Sequence, residues 1–443
     1  MGGKASILLV LGFSLIFLIV GNNFSGITTR AVDNFADYYD STMAYNIAVS
    51  GTNILANKFF IDSNLPDKSD TMSFQGGLIT YTFSTSGTYS NVKEIEVIGT
   101  FGDISKTIKV YLQPSKFSKF AYFSVIEGNI WWKSQDTVWG PMHVQEDLQV
   151  SGSPVFMGKT SSKNGITYDN GPGIDDPKFY GGYTSGVDMD LAIDGIEYLD
   201  SAAVAGGKQI DVISDSTATD TVYITFQSDS VNVKYGANEP DSTYLSSDYA
   251  PNGVIMAKGL TVRIQGTVSG QYTVATIPVY HAEVKVWGCT RWKWWGCQRY
   301  GWVTQSYAYY SGGDVFIDDD IVYESDPRTN PSSSDLLGIV ADGDIMITNN
   351  SANNSDINIH AALYSQNGGF GAEDYSSRPI SGDINLLGGV VQYERKAVGT
   401  FNSTTQTNIS GFSKKYKYDD RLLLVSPPSF PGTGSFEIVS WFE

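Results

Sequence analysis

The run from Ala5 to Val20, ASILLVLGFSLIFLIV, constrains this chain more than any other stretch. Thirteen of its sixteen residues are Ala, Val, Ile, Leu or Phe, and none is charged. As a helix rising ~1.5 Å per residue it is about 24 Å long, a little short of the ~30 Å hydrocarbon core of a bilayer. Gly2, Gly3 and the residues from Gly21 to Phe24 can make up the difference. With central Leu, Ile, Phe and Val at about −0.3 to −0.6 kcal/mol each, insertion gains roughly 5 kcal/mol. Three placements are open: a retained membrane helix, a cleaved secretory signal and a buried core helix. A signal expects a basic start and a small-x-small exit. Here only Lys4 precedes the run, and Gly21-Asn22-Asn23-Phe24-Ser25-Gly26 follows it. The retained helix fits best, with Ile7, Leu8, Leu11, Leu15 and Leu18 against lipid or sister helices. Lys4 before the run and Asp33, Asp37 and Asp40 after it put the bulk of the chain outside.

The helical pattern continues past the membrane. From Thr28 to Phe60 there is no proline, and only Gly51 interrupts. Val32, Phe35, Ala36, Tyr39, Met43, Ile47 and Ile54 recur at spacings of mostly three and four, which makes one apolar stripe. Two covers are open for it: the protein's own sheet, or neighbouring subunits. Strand patterns follow. Ile79, Tyr81 and Phe83 alternate with polar residues in Phe74 to Phe83, as do Ile108, Val110 and Leu112 in Ser105 to Leu112; Asn91 to Thr100 reads similarly. This predicts a small antiparallel meander covered by the stripe.

A helix that is membrane-apolar first and amphipathic later, followed by a meander, resembles the type IV pilin and pseudopilin architecture over about residues 1–115. The resemblance implies a short leader cut after glycine, with Gly3-Lys4 as the candidate site. That family usually carries a Glu five residues into the mature chain. Here the position is Leu8, and the run has no acidic residue. A second resemblance starts at Gly140-Pro141-Met142-His143, followed by Gly152, Pro154-Val155-Phe156 and Gly158, and closes with Pro427-Pro428, Phe430-Pro431 and Glu437 to Trp441. These residues are similar to a C-terminal domain of unknown function in bacterial pilin-like surface proteins. Together the resemblances imply anchoring in a bacterial inner membrane, or residence in a cell-surface filament.

Short strand units recur downstream, as in Gly313-Asp314-Val315-Phe316-Ile317, Gly343-Asp344-Ile345-Met346-Ile347 and Gly382-Asp383-Ile384-Asn385-Leu386. A strand unit that returns with variable loops predicts a parallel β-solenoid, with an antiparallel sandwich as the alternative. The expected fold class is therefore mainly β with a long N-terminal α-helix: a pilin-like helix plus β-meander, followed by a β-helix-like solenoid. The expected domains are 1–29 for the membrane or filament-core helix and 30–120 for its continuation and the meander. Residues 121–443 form the passenger, with an insertion at about 160–252 and a hairpin at 284–302.

The chemistry-bearing residues are few. A net charge of −18 excludes nucleic acid as a natural partner. There are three histidines, His143, His281 and His360, scattered along the chain. Five of nine tryptophans fall in Val284 to Trp302: Trp287, Trp292, Trp294, Trp295 and Trp302. Lys285, Arg291, Lys293 and Arg299 make a basic island there, and Cys289 and Cys297 are close enough to bridge in an oxidising compartment. Trp287, Arg291, Trp292, Trp294 and Trp295 are the candidate contacts for a glycan, a lipid interface or a partner surface. The alternative is that these rings pack over the solenoid. Asp318, Asp319 and Asp320 suggest a carbohydrate-active alternative. No cofactor is expected; calcium near Asp188, Asp190 and Asp194 or near Asp318 is the weaker option, against solvated turns. The residues read best as a structural subunit for assembly and adhesion, against an anchored enzyme or a secreted adhesin.

Overall fold

The computed structural model describes residues 2–61, 65–85, 92–189, 195–211, 220–294, 296–306 and 308–443. The chain is mainly β with one long N-terminal helix. It divides into two units, Met1–Ser115 with Gly434–Glu443, and Lys116–Thr433.

In the first unit the helix α1 spans Gly2–Ile61. Every residue from Ser6 to Tyr39 is exposed. Beyond that, Ala44, Ile47, Ala48, Gly51, Thr52, Leu55, Ala56 and Phe59 are buried, a strict three-and-four spacing that makes one helix face. It lies on an antiparallel sheet ordered β1 (Lys68–Phe74), β2 (Gly77–Thr85), β3 (Lys93–Phe101), β4 (Ile104–Lys116) and the last strand, Gly432–Phe442. The approach is close because the facing residues are small. A β-carbon on Gly99 of β3 would stand 2.3 Å from the Ala44 carbonyl oxygen and 2.4 Å from the Ala48 nitrogen. Farther along, the Phe59 ring meets Phe83 at 5.0 Å and Phe436 at 4.5 Å between centroids.

Three expectations shift here. The stripe read from large residues is not the packed face: Phe35 is 71% and Ile54 40% exposed, and only Ile47 of its members on the second half is fully buried. Backbone proximity selects Ala and Gly, which a search for bulky apolar residues passes over. Gln75 and Gly76, expected within a strand, form the β1–β2 turn with φ of 53° and 78°. The closing strand, expected in the passenger, pairs beside β4 in this first sheet.

The second unit is a parallel β-solenoid. One ladder stacks Lys208–Asp211, Val254–Lys258, Gln271–Ile277, Leu336–Ala341, Ile357–Ser365, Ile380–Glu394, Tyr122–Ile126, Met142–Val144, Thr160–Ser162 and Tyr183–Thr184. Ten strands at ~4.8 Å make a stack about 43 Å long. A companion ladder includes Thr221–Ser228, Thr261–Val268, Val315–Tyr323, Ile345–Ile347 and Phe370–Ala372. The stacking order is not the chain order. The chain enters mid-stack at Tyr122, winds outward to Thr184, resumes at the opposite end at Lys208 and winds back until Val390 seats on Tyr122.

The segment 160–252 is thus no simple insertion. Thr160–Ser162, Lys178–Phe179, Tyr183–Thr184, Lys208–Asp211 and Thr221–Ser228 are rungs of the stack. Rungs of two or three residues are too short to show alternation. The helix α2 (Gly195–Gly206) and the antiparallel arms Ser230–Tyr235 and Asp241–Leu245 are the additions.

The Gly-Asp repeat has a physical cause. Asp314 accepts from the Asp344 backbone N–H at 2.7 Å, and Asp344 accepts from that of Gly369 at 2.9 Å. Each carboxylate caps the corner of the next coil. A β-carbon at Gly343 would stand 2.2 Å from the Asp314 Oδ1, so glycine leaves the room. Burial pushes the Asp314 carboxyl up from its usual range, against the opposing pull of the Asp344 N–H that it accepts.

Where first and last runs meet, a buried polar network joins them. The Arg395 guanidinium donates to Glu127 at 2.6 Å and lies 4.3 Å above the Trp132 ring. The Tyr122 hydroxyl donates to Glu127 at 2.9 Å and accepts from Gln392 at 2.9 Å, and Ser124 donates to the same carboxylate. Lys414 donates to Asp136 at 3.1 Å. Removing one partner from such a buried pair costs about 3–5 kcal/mol.

Candidate functional site

The tryptophan-rich segment stands out from the solenoid as an antiparallel ribbon, Val284–Lys293 with Gly296–Ser306. It is inserted between Gln271–Ile277 and Val315–Tyr323 on a stalk pairing Val279–His281 with Tyr309–Ser311. His281 stacks on Tyr309 at 4.6 Å, and Tyr280 meets Tyr310 at 5.1 Å. The return passes close over the solenoid backbone: Gly312 has φ +73°, and a β-carbon there would stand 2.2 Å from the Leu260 nitrogen. Only glycine suits both conditions.

Cys289 and Cys297 are bonded, with Cα atoms 5.7 Å apart. They are not direct partners in register: Cys289 faces Tyr300 and Cys297 faces Trp292, with register shifts on either side of Arg291. An isolated two-stranded ribbon is marginal in water; closing so short a loop adds about 2–3 kcal/mol.

The rings face solvent. Trp287, Trp292 and Trp302 are 64%, 73% and 66% exposed, and Trp294 92%. Trp287 and Trp302 are cross-strand partners, edge to face at 5.7 Å. Packing of these rings over the solenoid is therefore not what the fold shows; Trp295 lies outside the described residues. Arg291 and Arg299 are also cross-strand partners. A cleft of about 600 Å³ beside them is lined by Thr290, Arg291, Gln298, Arg299, Tyr300 and Gly301.

The second candidate surface is the first half of α1. Ile7, Leu8, Leu11, Leu15, Leu18, Phe35 and Tyr39 are all exposed, while Met43 is half-buried. Thr28 and Thr29 donate their hydroxyls to the Phe24 and Ser25 carbonyls, so those polar groups are satisfied within the helix. By length and composition the helix can cross a membrane.

The acidic candidates are engaged in the frame. Asp318 accepts from Arg263 at 3.0 and 2.6 Å and from Thr348 at 2.7 Å; Asp320 accepts from the Asn358 backbone and side chain. Asp319 is exposed. Asp188 pairs with Lys163 at 3.0 Å, whereas Asp190 and Asp194 lie outside the described residues. No group of three His, Cys, Asp or Glu is arranged to hold a metal among the described residues. The histidines sit apart. Nδ1 of His360 accepts from the Tyr323 N–H, and burial, then the Arg328 guanidinium, pull its ring down to about 4. A cleft of about 410 Å³ bounded by Trp131, Arg395, Phe412 and Lys414 adjoins the buried network. Its cations Arg395 and Lys414 are already bound to Glu127 and Asp136. Sequence reasoning passed over this network because its members lie more than 250 residues apart in pairs such as Glu127 and Arg395.

No protein-family model and no curated protein matches the chain. The resemblance of residues 140–443 to a domain of unknown function thus gains no support. Among solved structures, the competence-associated pilin ComZ from Thermus thermophilus is similar at 12% identity, covering 91% of this chain and 97% of that one, with a TM-score of 0.39. At that score the likeness carries no argument.

Proposed function

We propose that this chain is a pilin-like structural subunit, held in the membrane or in a filament core by α1, with the β-rich passenger for surface contact. One observation carries the reading: the helix is bare from Ser6 to Tyr39. That is about 51 Å of helix, and a bilayer core of ~30 Å covers only some twenty residues of it. Val32, Phe35, Tyr38 and Tyr39 lie beyond that reach and are still exposed. Water is a poor cover for so much contiguous apolar surface; lipid for the first part and sister helices for the second are suitable ones. The location that follows is the inner membrane with the bulk outside, or a surface filament, and the role is assembly and adhesion. Asp318 and Asp320, tied to Arg263 and Asn358, favour this over the carbohydrate-active alternative.

The test is membrane fractionation of the full chain, followed by microscopy of sheared surface material. Retention in the membrane through alkaline washing, or filaments containing the chain, is the expected result. Monodisperse full-length protein without detergent overturns the proposal.

A further inference from the structure

We propose that Asn402 is the attachment site of an N-linked glycan, added outside the cytoplasm from a polyprenyl-phosphate-linked sugar donor. This goes beyond the structural role and rests on one part of that reading, the placement of the bulk of the chain outside. The bonded pair Cys289 and Cys297 fits the same compartment.

The chain has five Asn-x-Ser/Thr triplets in which x is not proline, starting at Asn23, Asn349, Asn353, Asn402 and Asn408. Such a triplet accepts a glycan where its asparagine stands on an accessible surface loop. The fold separates the five. Asn23 lies inside α1, where the N–H groups that follow it bond within the helix. Asn353 is 1% exposed, and its Nδ2 donates to the Ile317 and Thr348 carbonyls at 3.0 and 3.1 Å. Asn408 is half-buried at the start of a strand, and its Nδ2 donates to the Ser413 hydroxyl at 3.0 Å. The hydroxyl of its triplet, on Ser410, is buried and donates to the Tyr375 carbonyl at 2.7 Å. Asn349 is exposed, but its Nδ2 donates to the Asp374 carboxylate at 2.9 Å.

Asn402 differs from the other four. It opens the turn between the paired strands Gly399–Phe401 and Asn408–Lys417, and Asn402, Ser403 and Thr404 are all exposed. The backbone closes this turn on itself. The Asn402 N–H donates to the Thr407 carbonyl at 2.9 Å, and the Gln406 N–H donates to the Asn402 carbonyl at 2.7 Å. Oδ1 of Asn402 accepts from the Thr404 and Thr405 N–H groups at 2.9 and 3.0 Å, which makes an Asx turn. Its Nδ2 has no hydrogen-bond partner among the described residues.

That arrangement suits the transfer. A bond forms between Nδ2 and the anomeric carbon of the donor sugar. The bond from that carbon to the phosphate oxygen breaks, and the polyprenyl phosphate leaves with the electron pair. One proton passes from Nδ2 to a base of the transferase, and nothing is oxidised or reduced. As Nδ2 gives up its proton, negative charge shifts onto Oδ1, where two N–H groups are already aimed.

The test takes the full chain from the envelope of the cells that make it. Its glycopeptides are read by fragmentation mass spectrometry, which tells Asn402 from Asn408, beside the membrane and soluble fractions. Added sugar mass is expected on Asn402 and not on Asn353 or Asn408. N402Q is expected to lose it. T404A is expected to lose it as well, with an unchanged melting curve, because Asn402 and both N–H donors to Oδ1 remain; T404S is expected to restore it. Unmodified Asn402 in membrane-retained chain, sugar that survives T404A, or sugar on Asn353 or Asn408 overturns the assignment. Retention is read in the same fractions, so loss of the modification alone is distinct from failure of the anchoring role. Unmodified chain that is soluble without detergent overturns both.

Discussion

The two halves of α1 are one uninterrupted helix with opposite surroundings. Residues 6–39 are studded with Leu, Ile and Phe and touch little of this chain; residues 44–59 present Ala, Gly and Thr at five of their eight inward positions and are sealed against the sheet. More apolar side chain does not mean more burial within the subunit. The sheet selects small residues because close backbone approach lets β2 and β3 side chains, Ile79 and Val97 among them, fill the space beside Gly51. Large residues stay where the cover is soft, as lipid is, or comes from another molecule.

The sharpest way to break this comparison uses one residue type on both halves. Phe59→Ala empties a site between Phe83 and Phe436 and is expected to cost about 3–5 kcal/mol in denaturation of the detergent-solubilised subunit. Phe35→Ala is expected to stay within about 0.5 kcal/mol in the same assay while lowering filament yield. Equal costs would mean that the bare half is covered within the subunit. Next in size is Leu11→Lys, where a charge at mid-membrane costs about 3 kcal/mol of insertion; the soluble fraction should rise about a hundredfold with the melting curve unmoved. Gly99→Ala thrusts a methyl at the Ala44 carbonyl and is expected to lower stability by about 1–3 kcal/mol. Membrane retention should not change, which separates the halves in the reverse direction. Smallest is Thr52→Val. Thr52 donates to the Ala48 carbonyl at 2.9 Å, inside the buried face. Its loss should shift stability by about 1 kcal/mol or less, because apolar contact rather than side-chain hydrogen bonding holds the helix down.

Much of the first unit was legible in the residues. The alternation of Ile79, Tyr81 and Phe83, and of Ile108, Val110 and Leu112, points those side chains into the core, where all six are buried. The Gly-Asp units were legible as strands, and Val315 with Ile345 and Ile317 with Ile347 do stack. The third unit departs from that series. Ile384 sits on Ile357, and Phe370–Ala372 takes the place above Ile345–Ile347. Parallel pairing is set by which coil lies above, and nothing in a strand's own alternation names its neighbour. For the ribbon, composition located the rings, cations and cysteines; their exposure and the facing of Arg291 with Arg299 depended on bulges that no spacing rule specified.

By itself the sequence determined the helix, the membrane-grade apolarity of its start, the inward faces of the longer strands and the concentration of indole and guanidinium groups in one short segment. Those are local properties, written in runs and periods of a few residues. Tertiary structure alone decided which half of α1 is covered, that the last strand joins the first sheet, that the solenoid begins in its own middle, and that Glu127 meets Arg395. Each of these is a contact between distant parts of the chain, and its free energy depends on shape and backbone approach that no single stretch contains.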